Sequence, residues 1–555
     1  MRRQKPFLHQ AQFFWLLFFV LCVKGASAQE KPNVPEVSGA TSAKKLPTAT
    51  TQTPSAVSPQ PTGPGSSGSP ARPSDESDLV RNRDEWFCKQ RSSANGHIPA
   101  GARFRAFQHM QRMMLAEGKL VLHPDGSYLE SVPQPQLSAQ GAVTSPWTSI
   151  GPAPTTGGVY SRVTGRITTI AVDPSDPNGN TLLIGGAQGG IWRSTDAGQS
   201  WTAVGDQNPS LAMGSIAFAP SACSTSPASC TVYAGTGEQA ALVFDVYYGA
   251  GVLKSSDHGQ TWTPTCTVAG PTCPFIGPYL DSLHPGHGFF NFGGARISYI
   301  AVNPLNPNLV LAAAQLGIEG PTEGIYCSSD AGAHWTNILP DEMATFVGFA
   351  SPTVAFAALG MPFGSSPQAP HGNGIYRSTN ANSCSATFSL LSSGLPSQSS
   401  TGRIDMGISP NYASDSTVYA SIADASIDPV NGFSRASHTN LGVFKTGDGG
   451  NTWTLTSAPD ICKPQCEYDN VIKLDPASRN IAFFAGSHVL DANGNPNWIV
   501  RTIDSGGFWS SIIPALPALG QPANPGLPHV DSHAMAFAKL PNGRVRMFLG
   551  NDGGI

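Results

Sequence analysis

Charge is what this chain has least of. Asp, Glu, Lys and Arg together make up 12% of its 555 residues, and the net charge is -4. Gripping a phosphate backbone needs a concentrated basic field, so no nucleic-acid partner is expected. Long apolar runs are also lacking: beyond the first 28 residues no stretch has the length or apolarity to span a bilayer. A second Cys or His pair at ligand spacing is missing beside Cys462 and Cys466, which leaves a zinc site without its full set. What is plentiful is glycine (60) and proline (48), amid many Ser and Thr, the composition of an all-β chain with many short turns.

The first 28 residues read as an export signal. A basic start precedes an apolar core from Phe13 to Val23, and Ala26-Ser27-Ala28 offers the small-x-small cleavage site; the alternative is an uncleaved anchor. Residues 29–78 are a Pro, Ser and Thr tract with little to bury, hence a disordered linker. Over residues 79–130, Phe104, Phe107, Met110 and Met114 recur at helical spacing beyond an N-G-H-I-P-A-G break, predicting two short helices with an apolar docking stripe. In an oxidising compartment Cys223 with Cys230, Cys266 with Cys273, and Cys462 with Cys466 are expected to form loop disulfides. Cys327 and Cys384 are a further candidate pair that no spacing rule establishes, and Cys88 is left over.

From residue 145 onward one pattern returns. Ser194-x-Asp196-x-Gly198-x-x-Trp201 recurs at Ser255, Asp257, Gly259 and Trp262, at Ser328, Asp330, Gly332 and Trp335, at Asp448, Gly450 and Trp453, and at Asp504, Gly506 and Trp509, with a worn copy around Asn380. The spacing between copies is 50 to 73 residues. Each copy follows two apolar runs, ends a third and opens a fourth on the tryptophan, so each unit predicts four strands, the content of a propeller blade. The glycine allows positive φ, the aspartate is expected to bond its own backbone as an Asx turn, and the tryptophan packs the turn down. Catalytic groups would have to converge on one place, so aspartates that recur once per blade read as scaffold. A seventh unit opens at HVDSHAMAF and reaches only two strands, while SPWTSIGP around Trp147 resembles a lone fourth strand that could close the ring. The expectation is a seven-bladed propeller over 145–555 with an incomplete last blade.

The repeat resembles the Asp-box, or bacterial neuraminidase repeat, of sialidases, sortilin-type receptors and xyloglucan-hydrolysing endoglucanases. Runs such as GGIWRSTD, YAGTGE, YDNVIKLDP, HVDSH and GNDGGI make the chain similar to exported bacterial Asp-box proteins related to the sortilin N-terminal propeller. That resemblance implies a secreted propeller of mostly unassigned activity, often labelled glycosyl hydrolase because of the repeat. For sialidases it also implies an arginine triad, a tyrosine nucleophile beside a glutamate, and an acid/base aspartate.

Candidate site residues lie outside the repeated turns. Arg166, Arg296 and Arg403 each open an innermost strand, where a triad facing a carboxylate could form, although the F-R-I-P-like motif is absent. For glycan hydrolysis the candidate acids are Glu238, Asp405 and Asp469, none of them in a distinctive pair, and Tyr247 and Tyr248 offer a sugar-stacking surface. His529, Asp531 and His533 alternate, so on a strand they would share a face as metal ligands. No cofactor is required, and a divalent metal at that triplet is the one the sequence admits. Two readings follow: a secreted binding or scaffold module for a glycan or extracellular protein, and, as the alternative, a sialidase-like or xyloglucanase-like glycoside hydrolase. They differ in whether acids and arginines converge at the channel mouth.

Overall fold

In this computed structural model the described residues are 102–122, 128–130, 155–157 and most of 160–555; the longest omitted loops fall within 267–294, 361–370, 426–438 and 515–526. The export signal, the linker, Cys88, Trp147, Tyr248, and the first of the two expected helices lie outside them. One helix of the expected pair is present, Ala102–Ala116, followed by a short hairpin of Leu120–Leu122 with Tyr128–Glu130. No helix among the described residues is long and apolar enough to cross a membrane.

The apolar runs form four-stranded antiparallel blades in simple sequence order. Blade 1 runs Ile167–Val172, Leu182–Gly186, Ile191–Ser194 and Thr202–Ala203; blade 2 runs Met213–Phe218, Val232–Thr236, Val252–Ser255 and Thr263–Pro264. Blades 3 to 6 open on Arg296–Val302, Ala344–Phe349, Thr401–Ile408 and Val471–Asp475. Successive first strands contact one another around a ring. Second strands such as Val310–Gln315 are buried at every position because both faces of a blade are covered by its neighbours, which is why these runs read apolar without alternation. An apolar core fills each of the seven gaps between neighbouring sheets, for instance Leu311, Ile325, Val347 and Ala357 between blades 3 and 4.

The blade count corrects the expectation: among the described residues there are six four-stranded blades, not seven. The seventh sheet among the described residues has two strands, Ser532–Lys539 and Val545–Asn551, and it sits between blade 6 and blade 1. The strands before blade 1, Thr155–Gly157 and Tyr160–Val163, pair with each other and not with this sheet. Among the described residues, side chains and loops bridge this sheet and blade 1. Arg546 Nη1 donates to the carbonyls of Asn178 and Gly179 at 3.3 and 3.1 Å, and the Thr164 N–H donates to Gly553 O at 2.8 Å.

The repeated turns confirm the glycine and refine the aspartate. Gly198 lies at φ 88°, and Ala197 before it at 61°, so the turn needs two successive left-handed residues. Asp196 does not bond the amide two residues on; its Oδ1 accepts the N–H of Ser200, four residues later, at 2.9 Å. Asp257, Asp330, Asp448 and Asp504 do the same with Thr261, His334, Thr452 and Phe508. The preceding hydroxyl closes the other side: Ser194 Oγ accepts the Gly198 N–H at 2.9 Å and donates to Asp196 at 2.8 Å. In the worn copy no tryptophan follows Asn380, and a disulfide from Cys384 to Cys327 of blade 3 ties the turn down across 57 residues. The three expected loop disulfides are also formed.

Candidate functional site

Antiparallel pairing sets the start of each first strand beside the end of the second, as with Arg296 opposite Gln315 and Ser532 opposite Asn551. Residues that precede first strands and residues that follow second strands therefore gather at one end of the ring. There the sequence has its charged and aromatic outliers. Arg166, Arg403, Tyr468, Asp469, Asp531 and His533 come from the first-strand side, Glu238, Ser487 and Asp552 from the second-strand side.

The first half of the site is an arginine, glutamate and tyrosine cluster. Glu238 follows Gly237, whose φ of 91° and close approach to Arg296 (a Cβ would lie 2.7 Å from its Cα) leave room for no larger residue. The turn aims a fully buried carboxylate inward. Arg166 Nε lies 2.7 Å from Glu238 Oε1, and its Nη2 donates to Oε2 at 3.1 Å. Tyr468 donates its hydroxyl to Glu238 Oε1 at 2.6 Å, and the Arg166 guanidinium stands 5.6 Å from the Tyr468 ring centre. Arg403, itself buried, donates to the carbonyl of Tyr468. Burial and the adjacent Glu238 charge push the Tyr468 phenol far above its ordinary value, so it is a neutral donor and not a phenolate nucleophile.

The second half is three aspartates around a histidine. His533 stacks at a tilt 4.6 Å from the Tyr468 ring. Its Nε2 lies 2.6 Å from Asp552 Oδ1, and its Nδ1 lies 3.3 Å from Asp469 Oδ1. Ser487 donates to the other Asp469 oxygen at 2.6 Å. Burial, then the nearby Asp531 charge, raises the Asp469 carboxyl well above the carboxylate range, and Asp531 is raised by burial and by Asp552. Asp552 goes the other way: burial would raise it, but the hydrogen bond from His533 brings it below the usual value. Burial lowers His533, so the ring is neutral with one N–H. With Asp552 ionised, that proton belongs on Nε2, and Nδ1 then faces a protonated Asp469.

The turn Asn551–Gly554 carries Asp552. Asn551 N–H and Gly554 O pair at 2.9 Å, the Gly553 N–H donates to Asn551 Oδ1 at 2.9 Å, and a Cβ on Gly553 would strike His529 at 2.7 Å. Asp552 is left at the rim with its side chain 33% exposed, while the His533 side chain beneath it is 5% exposed.

Set against the sequence candidates, the structure brings together Glu238, Asp469, Arg166 and Arg403, and adds Tyr468, Ser487 and Asp552. Arg166 and Arg403 meet at Tyr468, not as a triad on empty space; Arg296 is buried, with its backbone against Gly237. Asp405 belongs elsewhere: Lys473 Nζ lies 3.1 and 2.9 Å from its two oxygens and the Ile472 N–H donates to it at 2.8 Å, a buried pair tying blade 5 to blade 6. Tyr247 meets the cluster through its carbonyl, which accepts the Glu238 N–H at 2.8 Å. The predicted alternation of His529, Asp531 and His533 does not arise, because Asp531 sits at φ 61° and the strand starts at Ser532. His533 faces Asp469 and Asp552, while His529 Nδ1 is 2.9 Å from Val530 O; among the described residues the three do not form a ligand group.

No family model matches the chain. It is 26% identical over 188 residues to a xyloglucanase from a Paenibacillus species, a match that takes in 31% of this chain and 16% of that enzyme's length. Similar solved structures include the GH74 xyloglucanase from Xanthomonas campestris (TM-score 0.45, 16% identity, 70% of this chain and 51% of that one). An ancestral GH74 enzyme is alike at TM-score 0.44 and 16% identity, over 70% of this chain and 44% of that one.

Proposed function

We propose that this protein is a glycoside hydrolase acting on an extracellular polysaccharide of neutral sugars, with Asp531 as general acid and Asp552 as general base. The observation that carries the reading is a rim carboxylate set on a buried imidazole: Asp552, its side chain 33% exposed, lies 2.6 Å from His533 Nε2 with Asp469 3.3 Å from the other ring nitrogen, an arrangement that favours ionised Asp552 while burial and that neighbouring charge favour the protonated form of Asp531. Glycosidic cleavage needs one protonated carboxyl to hand its proton to the leaving oxygen and one ionised carboxylate to draw the proton from the attacking water. His533 keeps Asp552 ionised through the Nε2 hydrogen bond, and buried Asp469 lies 3.3 Å from the ring's other nitrogen. A neutral substrate is favoured over an acidic one because the arginines that would meet an anionic sugar already hold Glu238 and the Tyr468 carbonyl. Xyloglucan is the first polymer to test, from the partial likeness to a xyloglucanase. Four disulfides and the export-like N-terminus support secretion.

The test incubates the protein with xyloglucan, other neutral glucans and a sialylated glycan, following both retention and reducing ends released. Release from a neutral polymer that drops 10²- to 10⁴-fold in both Asp531→Asn and Asp552→Asn, on the order expected for lost acid/base catalysis, supports the reading. Retention without release overturns it in favour of the binding or scaffold module.

A further inference from the structure

Immediately before Tyr468 and Asp469 the chain closes a small covalent ring, Cys462 to Cys466. Both cysteines are fully buried, as is Ile461 before them. On the outer side the ring is anchored to blade 5: Asp460 Oδ1 accepts the Asn440 N–H at 3.2 Å and lies 3.5 Å from Cys466 Sγ. On the inner side two routes lead from it to the site. In the first, the Gln465 N–H donates to Cys462 O at 2.8 Å, and the Gln465 carbonyl accepts the N–H groups of both Tyr468 and Asp469, at 2.8 and 2.7 Å. The second runs through Gly486, which packs so closely on the ring that a Cβ would lie 2.6 Å from Cys462 Cα; the next residue, Ser487, donates to Asp469 Oδ2 at 2.6 Å.

A crosslink over four residues removes little freedom from the unfolded chain, in contrast to the 57-residue closure of Cys327 and Cys384. What a tight ring does supply is a fixed carbonyl direction. Here that carbonyl holds the backbone of the two residues that lie against His533, Tyr468 by its ring and Asp469 by an oxygen 3.3 Å from Nδ1, where an error of about 1 Å is enough to cost a large factor in rate.

We infer that the Cys462–Cys466 ring is a positioning element of the site, fixing Tyr468 and Asp469 against His533 through the Gln465 carbonyl and the Gly486–Ser487 contact. Its kinetic consequence rests on the hydrolase reading; its structural consequence does not. The experiment compares wild type, Cys462→Ala/Cys466→Ala, Gly486→Ala, and Cys266→Ala/Cys273→Ala as a disulfide control. His533 is titrated by NMR of labelled imidazole in each, and kcat and KM are measured on whichever glycan is released. In wild type His533 is expected to titrate below its ordinary value, since burial disfavours the charged ring. Loss of the ring is expected to move it back toward that value and to lower kcat at least 10-fold with KM within about twofold, while the control changes neither. Gly486→Ala keeps the disulfide and displaces the ring, so it carries the test should the double variant fail to fold. An unchanged His533 titration in both ring variants overturns the inference. Absence of glycan release from wild type sinks the hydrolase reading alone, since the titration still decides this one.

Discussion

Removing Lys473 tests whether Asp405 is scaffold. In Lys473→Met the Asp405 side chain, 9% exposed, keeps the Ile472 N–H but loses its counter-ion, and the Met406 carbonyl loses the donor that reached it at 3.1 Å. Breaking a buried pair from one side costs about 3–5 kcal/mol, because a charge stays buried without its partner. Lys473 is 20% exposed along its side chain, so some solvent reaches the pair and the lower figure, about 3 kcal/mol, is the expected loss. Asp405→Leu/Lys473→Met removes both charges among Tyr299 and Phe346, whose rings already stand 5.6 and 5.8 Å from the ammonium. That double variant is expected to recover most of the loss, giving a coupling of roughly 2–3 kcal/mol. Urea denaturation at pH 7 reads it as a shift in midpoint at constant slope. A single-variant cost below about 1 kcal/mol, or an unrelated drop in glycan release from the folded double variant, refutes the scaffold assignment.

Three further outcomes follow from the same geometry. Activity should require Asp552 ionised and Asp531 protonated, so the pH profile is expected to be a bell whose acid limb falls below the usual carboxylate range and whose alkaline limb lies above it; a profile with one limb contradicts the assignment. Asp469 has a raised folded value, so its stabilising contribution is present at low pH and is lost as pH rises above the unfolded value near 3.8. Asp469→Asn should therefore raise the urea midpoint at pH 7 but not at pH 3, and equal shifts at both would count against it. Removing Cys327 and Cys384 together should cost about 4 kcal/mol from loop entropy over 57 residues, read as a lower denaturation midpoint, whereas a cost below about 1 kcal/mol would show that this crosslink is not what ties blade 4 to blade 3.

Much of the scaffold was legible because it repeats. The Ser194, Asp196, Gly198 and Trp201 spacing marks where a third strand turns into a fourth, and the apolar runs before it supply the other strands. The Asx expectation at Asp196 failed since the side-chain reach to Ser200 depends on two left-handed residues, and only glycine announces that backbone in a sequence. The count of four-stranded blades failed for a different reason: which strands complete the seventh sheet is a matter of long-range pairing, on which local pattern is silent. For the site, Arg166, Glu238 and Asp469 were found as charged residues at strand ends. Tyr468 and Asp552 carried a signal too, within YDNVIKLDP and GNDGGI, but nothing local ties residue 468 to residue 238.

Asp405 and Asp469 show why residue type and strand position were insufficient. Asp405 sits two residues into its pairing strand beyond Arg403 and meets Lys473 from the next blade, which satisfies its charge. Asp469 precedes its strand, at the end of the ring, and meets two other carboxyls instead. At Asp469 the neighbouring carboxyls outweigh the pull of Arg403, so a structural ion pair gives way to a group that favours its proton. Charge that a neighbouring blade neutralises holds the ring together. Charge that converges without full neutralisation at the ring's open end is the kind that can move a proton, and His533, placed between Asp469 and Asp552, is where that convergence is greatest.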